Sequence, residues 1–522
     1  MKKFRLLPCF IWALLSLGCQ AQDSLPALYD TYHITQIQLK FVEEDWEYPL
    51  HYLHSVGKGD RHMGHATVNG VRFDSVGVRF KGFSSYKPKM SKNPLNIKLN
   101  DKRKKADYQG YETLKLSSGN LDPSWLREVL AYQIARKYMA APKSNFAQVF
   151  VNGAYYGLFG STEDVNWKFG ERYLGSTKNS VVVKGNSPLG PFAGKRSSLE
   201  YWGEDPTEYE KGYELDNGND WKPLINLTKT LKLRPEDIES VLDMDDAIWM
   251  LAFNNVLLNL DSYNDFQQNY YLIQDSTERF HFVLWDVNLA FDGLGKLGTS
   301  SMQPHYDPLA KMDDERYPLI NLVLKNPTYR KMYFAHCRTI LNENFVNGWY
   351  KAEAQKLHDL VADAVRQDSN WVYKYDAFEK NFHETYTAMM PAPFPYPGIT
   401  EVMEARTAFL QNHKEYKKIP PSISNVNAKS AEDGRSVTVT ATIKNGNKAW
   451  VAWRSSVGNR FEKTPMYDDG QQGDGQAKDG VYGAVLPAGS YSIQYYIYAE
   501  NAAAAMFAPE KAEHETFIFP TK

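Results

Sequence analysis

At 522 residues the chain is long enough for two to four domains and a large buried core. Its 60 Lys and Arg nearly balance 62 Asp and Glu, for a net charge of −2, so no nucleic-acid partner is expected from bulk charge. Cys9, Cys19 and Cys337 are the only cysteines, which excludes a disulfide-stapled scaffold and a cysteine zinc site by count.

Residues 1–21, "MKKFRLLPCFIWALLSLGCQA", have the form of an export signal. Lys2, Lys3 and Arg5 precede an apolar run, Leu6 to Leu17, that is too short for a good membrane span. A cut after Ala21 gives a soluble exported protein. A cut before Cys19 gives a lipid-anchored one, and "SLGC", an imperfect lipoprotein box, favours that reading. The expected location is therefore the outer membrane or cell surface as a lipoprotein, or the periplasm, with the membrane as partner through a lipid on Cys19. Cys337 is left without a partner and reads as a buried structural thiol. No later segment is apolar enough to span a bilayer.

Tyr32 to Leu99 is strand-rich. "ITQIQLKF" and "VGVRF" alternate apolar and polar residues, with polar turns such as "VGKGDRHMGH" between them. The basic "NDKRKKADYQG" is a solvated loop. "DPSWLREVLAYQIARKYM" predicts a helix capped by Asp122, with Pro123 at its first position. "FAQVFVNGAYYGLF" predicts a β-hairpin turning at Asn152 and Gly153, followed by the polar step "GSTEDV". Helical spacing dominates from Trp221 and ends in "AIWMLAFNNVLLNLDSYNDF", a long apolar helix that stops at Asp261. "NYYLIQDSTERFHFVLWDVNLAF", from Asn269 to Phe291, reads as two strands around a short polar turn. More helices run from about Pro318 to Tyr416, interrupted by a loop at "MMPAPFPYPG". "KKIPPSIS" marks a boundary. Beyond it "SVTVTATI", "AWVAWRS" and "SYSIQYYIYAE" alternate with period two, the pattern of a small β-sandwich.

Asp286 ends a strand in which Phe280, Phe282 and Leu284 are apolar, and a carboxylate there needs a cationic side chain or a metal. A turn centred on "DSTE" places Asn269 opposite Leu284 and makes Asp286 its diagonal neighbour. Asp261 enters the same end from the preceding loop. Three oxygen-bearing side chains then converge, a donor set suited to a hard cation such as Mg2+. This is the skeleton of a phosphoryl-transfer site, with Asp261 as the proton acceptor and Asn269 and Asp286 as metal ligands. Lys98, on the strand face opposite Leu95, Ile97 and Leu99, is the candidate phosphate lysine, and Glu128 on the next helix its partner. The loop "KGFSSYKPK" could cover phosphates. Taken one at a time, these residues read more readily as turn caps or surface charges; taken together and in order, the two readings balance. No cluster of histidines suggests a His-based metal site.

In order along the chain, "VGVRFKGFSS" with "KNPLNIKLN", "LKLSSGNLDPSWLREVLAYQIAR", "VFVNGAYYGLF" with Glu163, "VVVKGN", "LNLDSYNDFQQNYYLI" and "FVLWDVNLAF" resemble the spore-coat protein H (CotH) kinases. The resemblance covers roughly residues 30–415. It implies an α+β, atypical two-lobed protein-kinase-like fold over residues 27–416, with an N-lobe over about 30–162 and a C-lobe over about 163–416. An all-β, immunoglobulin- or fibronectin-like sandwich follows over 421–522. The resemblance also implies ATP and Mg2+ as cofactors and a serine or threonine of an unknown extracytoplasmic protein as acceptor. In that scheme Asp261 is catalytic, Asn269 and Asp286 hold the metal, and Lys98, Glu128 and Glu163 bind the nucleotide. Many members read Trp-Asp-x-Asp where this chain has "WDVN", so Asn288 offers a neutral metal contact. The alternative is a catalytically degenerate surface scaffold that binds glycan or protein. In the C-terminal part "MYDDGQQGDGQAKDGVYG" spaces Asp468, Asp469, Asp474 and Asp479 among glycines, a layout that fits a turn and could also wrap Ca2+.

Overall fold

The computed structural model describes residues 25–57, 59–82, 85–186, 194–294, 303–390, 392–432, 434–456, 458–488 and 492–520. The export signal, with Cys9 and Cys19, and the middle of the "KGFSS" loop lie outside the described residues.

Seven strands form a closed barrel: β1 (Ile34–Lys40), β2 (His62–Val68), β3 (Val71–Phe80), β4 (Leu95–Lys98), β5 (Thr113–Ser117), β6 (Ser144–Val151) and β7 (Ala154–Thr162). Their order is β1-β2-β3-β4-β5-β7-β6, and β1 closes the ring by pairing parallel to β6. Alternation sets the inside. Ile37, Val68, Val78, Ile97, Leu114 and Val149 share one core. Gly77, Arg79, Lys98 and Lys115 occupy the other face of β3, β4 and β5. Helix α1 (Glu47–Val56) spans β1 and β2, a helix that a period-two pattern passes over; it buries Leu50 and ends at Gly57, whose φ of 69° only glycine adopts readily. The β6–β7 hairpin turns at Asn152 and Gly153 as predicted, with φ of 50° and 89°.

Helix α2 (Arg127–Ala135) starts later than Asp122 and Pro123 suggested. Trp125, at φ 62°, breaks the helical path. Asp122 accepts hydrogen bonds from the Ser124 amide (3.0 Å), the Arg127 amide (2.9 Å) and the Arg127 guanidinium (2.6 Å), so it holds the approach to the helix and not its cap.

After α3 (Trp167–Tyr173) comes a four-stranded sheet of order β11-β10-β8-β9. It is built from β8 (Val182–Gly185), β9 (Tyr213–Asn217), β10 (Tyr270–Gln274) and β11 (Phe280–Leu284). Helices α4 (Pro206–Tyr209), α5 (Lys222–Leu233) and α6 (Met244–Val256) lie between its strands in sequence. Helix α6 stops at Val256, short of Asp261, because Leu258 takes φ 52°. Then come α7 (Pro318–Lys325), α8 (Pro327–Ile340), α9 (Trp349–Gln367) and α10 (Tyr375–Asn381). The proline-rich stretch expected as a loop is a hairpin, β12 (Tyr386–Met390) with β13 (Ala392–Tyr396). A two-stranded ribbon leaves each strand one unpaired side, where proline's missing N–H costs nothing. Helix α11 (Ile399–Asn412) completes this part. A buried ion pair, Lys92 with Asp368, ties the barrel to the end of α9, and both side chains also bond the Leu158 backbone, at 2.9 Å each. Cys337 is buried in α8, where burial pushes its thiol up to about 12. Among the described residues no helix is long and apolar enough to cross a membrane.

The C-terminal part is all β. One sheet holds β14 (Ser422–Ser430), β15 (Ser436–Lys444) and β18 (Val481–Pro487). The other holds β17 (Glu462–Met466), β16 (Lys448–Arg454), β19 (Ile493–Glu500) and β20 (Ala505–Ala508), with β21 (Phe517–Phe519) also on β19. Val451 and Ile497 face the sandwich interior. On the opposite face Ala452, Tyr496, Tyr498 and Phe507 join the core of the helical part. There His336 stacks between Trp249 (3.6 Å) and Phe507 (4.9 Å), and the Trp249 indole donates to the Ala512 carbonyl at 2.9 Å. The Asp-Gly tract forms a set of turns, the first of the two layouts expected of it. Asp474 accepts from the amides of 469, 470 and 472, and Asp468 from those of 478, 479 and 480. These carboxylates are spent on backbone N–H groups.

Candidate active site

The site lies where the outer face of the barrel meets α2 and the β10–β11 hairpin. Lys81 immediately follows β3 and continues the row of Gly77 and Arg79 on that face. Its amino group donates to the Ser117 hydroxyl at 3.3 Å. Burial lowers its pKa, while the carboxylates of Glu128 and Asp286 pull it back up. Glu128, from the first turn of α2, accepts from the Thr162 hydroxyl at 2.9 Å. Burial lifts its carboxyl to about 7; Lys81 opposes that shift and Asp286 adds to it.

The expected pairing of Lys98 with Glu128 is not made; the lysine whose charge acts on Glu128 is Lys81. Lys98 does lie on the outer face, but it pairs with Gly77, four positions back along β3 from Lys81, or about 13 Å at strand rise. Glu163 is also not where a nucleotide ligand was expected. Strand alternation sends Thr162 and Asp164 to the cleft and turns Glu163 away. There its carboxylate is held by the Arg172 guanidinium, the Lys143 amide (3.1 Å) and the Tyr173 hydroxyl (3.3 Å).

Asp261, Asn269 and Asp286 do come together. Asn269 donates its side-chain amide to the Asp261 carbonyl (2.8 Å) and carboxylate (3.1 Å), and Gln268 donates to the same carboxylate at 2.5 Å. Burial raises the Asp261 carboxyl to about 6, with the charge of Asp286 adding and the two amide hydrogen bonds opposing. The Trp285 amide donates to the Asn269 carbonyl at 3.2 Å, closing the mouth of the hairpin. The register differs from the expected one by a residue: Tyr270, not Asn269, faces Leu284. The cause is a longer turn, 275–279, in which Asp275 bonds the amides of Thr277 (2.8 Å) and Arg279 (3.0 Å) and Glu278 takes φ 67°. Asn269 and Asp286 flank the mouth of the hairpin, both outside strand geometry at φ 59° and 52°, and each is linked to Asp261, the first by hydrogen bonds and the second by charge. Positive φ at a non-glycine is uncommon and concentrates at functional sites. Among the described residues Asp286 neither caps the turn that follows it nor pairs with an arginine.

Glu128 and Asp286 therefore share one lysine, Lys81, and Asp261 lies within reach of the Asp286 charge. The surplus negative charge, the hard oxygen donors and the two raised carboxyls fit a divalent cation carried with phosphate. The carboxylates do not form a ready cage of their own. Among the described residues, the grouping of His, Cys, Asp and Glu with ligand atoms within 4.8 Å of one another is elsewhere, at Asp243, Asp246 and His281. That group is already neutralised: His281 bonds Asp246 (2.5 Å) and Asp275 (3.1 Å), and Arg279 pairs with Asp243 at 3.2 Å. At the outer end of the cleft Lys115 pairs with Asp164 at 3.0 Å and lies 5.9 Å from the Trp285 ring. Lys81, Ser117, Thr162 and Gln268 were not singled out from the sequence. Lys81 was within reach, since Gly77, Arg79 and Lys81 keep the same parity in "VGVRFKG".

A model of the CotH kinase protein family matches residues 78–391, and a model of the conditioned medium factor second Ig-like domain matches residues 417–507. Among solved structures the chain is similar to the proinflammatory kinase CtkA of Helicobacter pylori, at 10% identity over 55% of this chain and 94% of that one, with a TM-score of 0.24. It is also similar to the Br derivative of BhCBM56, at 11% identity over 18% of this chain and 88% of that one, with a TM-score of 0.14. No curated protein matches the chain.

Proposed function

Because this chain belongs to the CotH kinase protein family, we propose that it is an ATP- and Mg2+-dependent protein kinase with a two-lobed, kinase-like catalytic part. It moves the γ-phosphoryl group to a serine or threonine hydroxyl of an extracytoplasmic protein. The observation that carries this reading is that Lys81, bonded to Ser117, lies within the charge of both Glu128 and Asp286, while Asp286 in turn acts on Asp261. Lys81 and Glu128 form the cation–anion pair that fixes phosphate oxygens. Asp286 and the Asn269 amide oxygen hold the metal, whose bound charge offsets that building on the phosphate oxygens in transfer. Asp261 accepts the proton of the acceptor hydroxyl as the new oxygen–phosphorus bond forms and the bond to the departing ADP breaks. Its hydrogen bonds from Gln268 and Asn269 hold it in place and leave it anionic near neutral pH. Water is kept away by burial of Lys81 and Glu128 against Thr162 and Ser117.

The test is transfer of labelled γ-phosphate to the protein itself or to a generic acceptor, with Mg2+. Asp286→Ala and Lys81→Ala are expected to lower transfer by at least about 100-fold. Lys98→Ala is expected to leave it nearly unchanged. Equal labelling by Asp286→Ala would refute the assignment. So would a lack of any thermal stabilisation of the wild-type chain by ATP with Mg2+.

A further inference from the structure

A groove of about 690 Å3 runs along the seam between α8 and the C-terminal sandwich, away from the Lys81 site. Both parts of the chain build it. Four aromatic rings line it: Tyr329 of α8, Trp450 of β16, Tyr467 just beyond β17, and Tyr482 of β18. Met332 and Met466 add apolar surface beneath them. Trp450 already stacks on Tyr498, at 3.9 Å and 20°, so one of its faces is used. Tyr467 is 53% exposed and presents a ring to solvent.

The charges around these rings do not cancel. Lys448, Lys463 and Lys478 line the groove with Glu239 and Asp468. Lys463 is matched by Glu239 at 2.9 Å. Asp468 is fixed by the amides of 478, 479 and 480 and keeps its charge, so three lysines face two carboxylates. Lys448 reaches Glu500 only at 3.6 Å, keeps 59% of its side chain in solvent, and holds its ammonium 5.4 Å from the Trp450 ring. A cationic rim therefore flanks aromatic platforms. The complementary ligand has flat C–H faces for the rings and carboxylates for the lysines. An added peptide strand is disfavoured: β17 is the edge of its sheet and carries Pro465, which removes a backbone donor.

We propose that this groove binds an acidic polysaccharide, with sugar rings on Tyr467 and carboxylates against Lys448 and Lys478. It is independent of phosphoryl transfer and is tested by binding alone. The full chain is titrated by calorimetry with polygalacturonate, with neutral dextran and with poly-glutamate. Polygalacturonate is expected to bind, more weakly as salt rises, and at least about tenfold more weakly to Tyr467→Ala and to the Lys448→Ala/Lys478→Ala double variant. Tyr467 and both lysines are exposed, so the thermal midpoint of these variants is expected to match the wild type. No binding of polygalacturonate, unchanged affinity in either variant, or equal affinity for dextran overturns the proposal. Tighter binding of poly-glutamate overturns it in favour of an acidic peptide.

Discussion

Lys81 and Lys98 share a face of the barrel, and the difference between them shows what a single position decides. Alternation in "NPLNIKLN" and "VGVRFKG" identifies the face of each lysine. It does not say which row of the sheet lies beside α2, because that depends on the pairing of Gly77 with Lys98. Glu128 was legible for the opposite reason: it lies in the first turn of a helix whose neighbours are apolar. Gly160 keeps room for it. A methyl group there would sit 3.1 Å from a Glu128 carboxylate oxygen, so Gly160→Ala shifts the carboxylate and strains its bond to Thr162. Affinity for ATP with Mg2+, followed by titration, is expected to fall by about tenfold. His281 offers a pH test remote from the site. Burial works against its charge, but hydrogen bonds to Asp246 and Asp275 outweigh it and push the imidazole up to about 10 from 6.5. Its contribution is complete below pH 6.5 and is lost as pH rises toward 10. The wild-type thermal midpoint is expected to drop between pH 7 and 10 more steeply than that of His281→Gln, as calorimetry at a series of pH values would record.

At the scale of elements, the β10–β11 hairpin carries Asn269 and Asp286, and its turn sets their register. The "DSTE" signal was readable in the sequence. The extra residue was not, because the choice rests on Asp275 bonding the Thr277 and Arg279 amides and on Glu278 accepting a left-handed backbone. Asp261 still gathers Asn269 and Asp286 at the hairpin mouth despite the shifted register, and both of those residues leave the strand at positive φ. Asp275→Ala removes these turn bonds and one of the two acids bonded to His281. Urea unfolding is expected to show a loss of about 2–3 kcal/mol. Amide exchange at Tyr271 and Ile273 is expected to quicken, since the hairpin loses what fixes its pairing. Helices α2 and α6 were predicted where they occur, but their ends were misplaced, and α1 and α3 were passed over. Trp125 and Leu258, both at positive φ, stop helical geometry for reasons of local packing that composition does not carry.

Across the whole molecule, the composition change at "KKIPPSIS" marks where the sandwich begins but not how firmly it is attached. The signal was present: β19, "IQYYIYAE", carries Tyr496 and Tyr498 on the face opposite Ile493 and Ile497, as a strand between two cores can. Trp249 is the hinge pin of that second core, with His336 stacked on it and Ala512 accepting its N–H. From the sandwich, Arg460 also donates to the carbonyls of Thr277 (2.6 Å) and Ser240 (3.2 Å), gripping the turn of the β10–β11 hairpin. Trp249→Ala is expected to cost about 3–5 kcal/mol. Its unfolding in urea is expected to remain one transition, with fluorescence and far-ultraviolet dichroism changing together, because neither part keeps its buried surface without the other.

The ring of the barrel is sealed between its first strand and its sixth. Ile34 lies beside Phe146, so more than a hundred residues separate partners that touch. A ribosome delivers β1 long before β6, and the nascent segment must wait with one flank exposed until the hairpin at Asn152 has emerged. Closing so long a loop is slow compared with forming local contacts. Once sealed, the ring has no open flank left to recruit another chain.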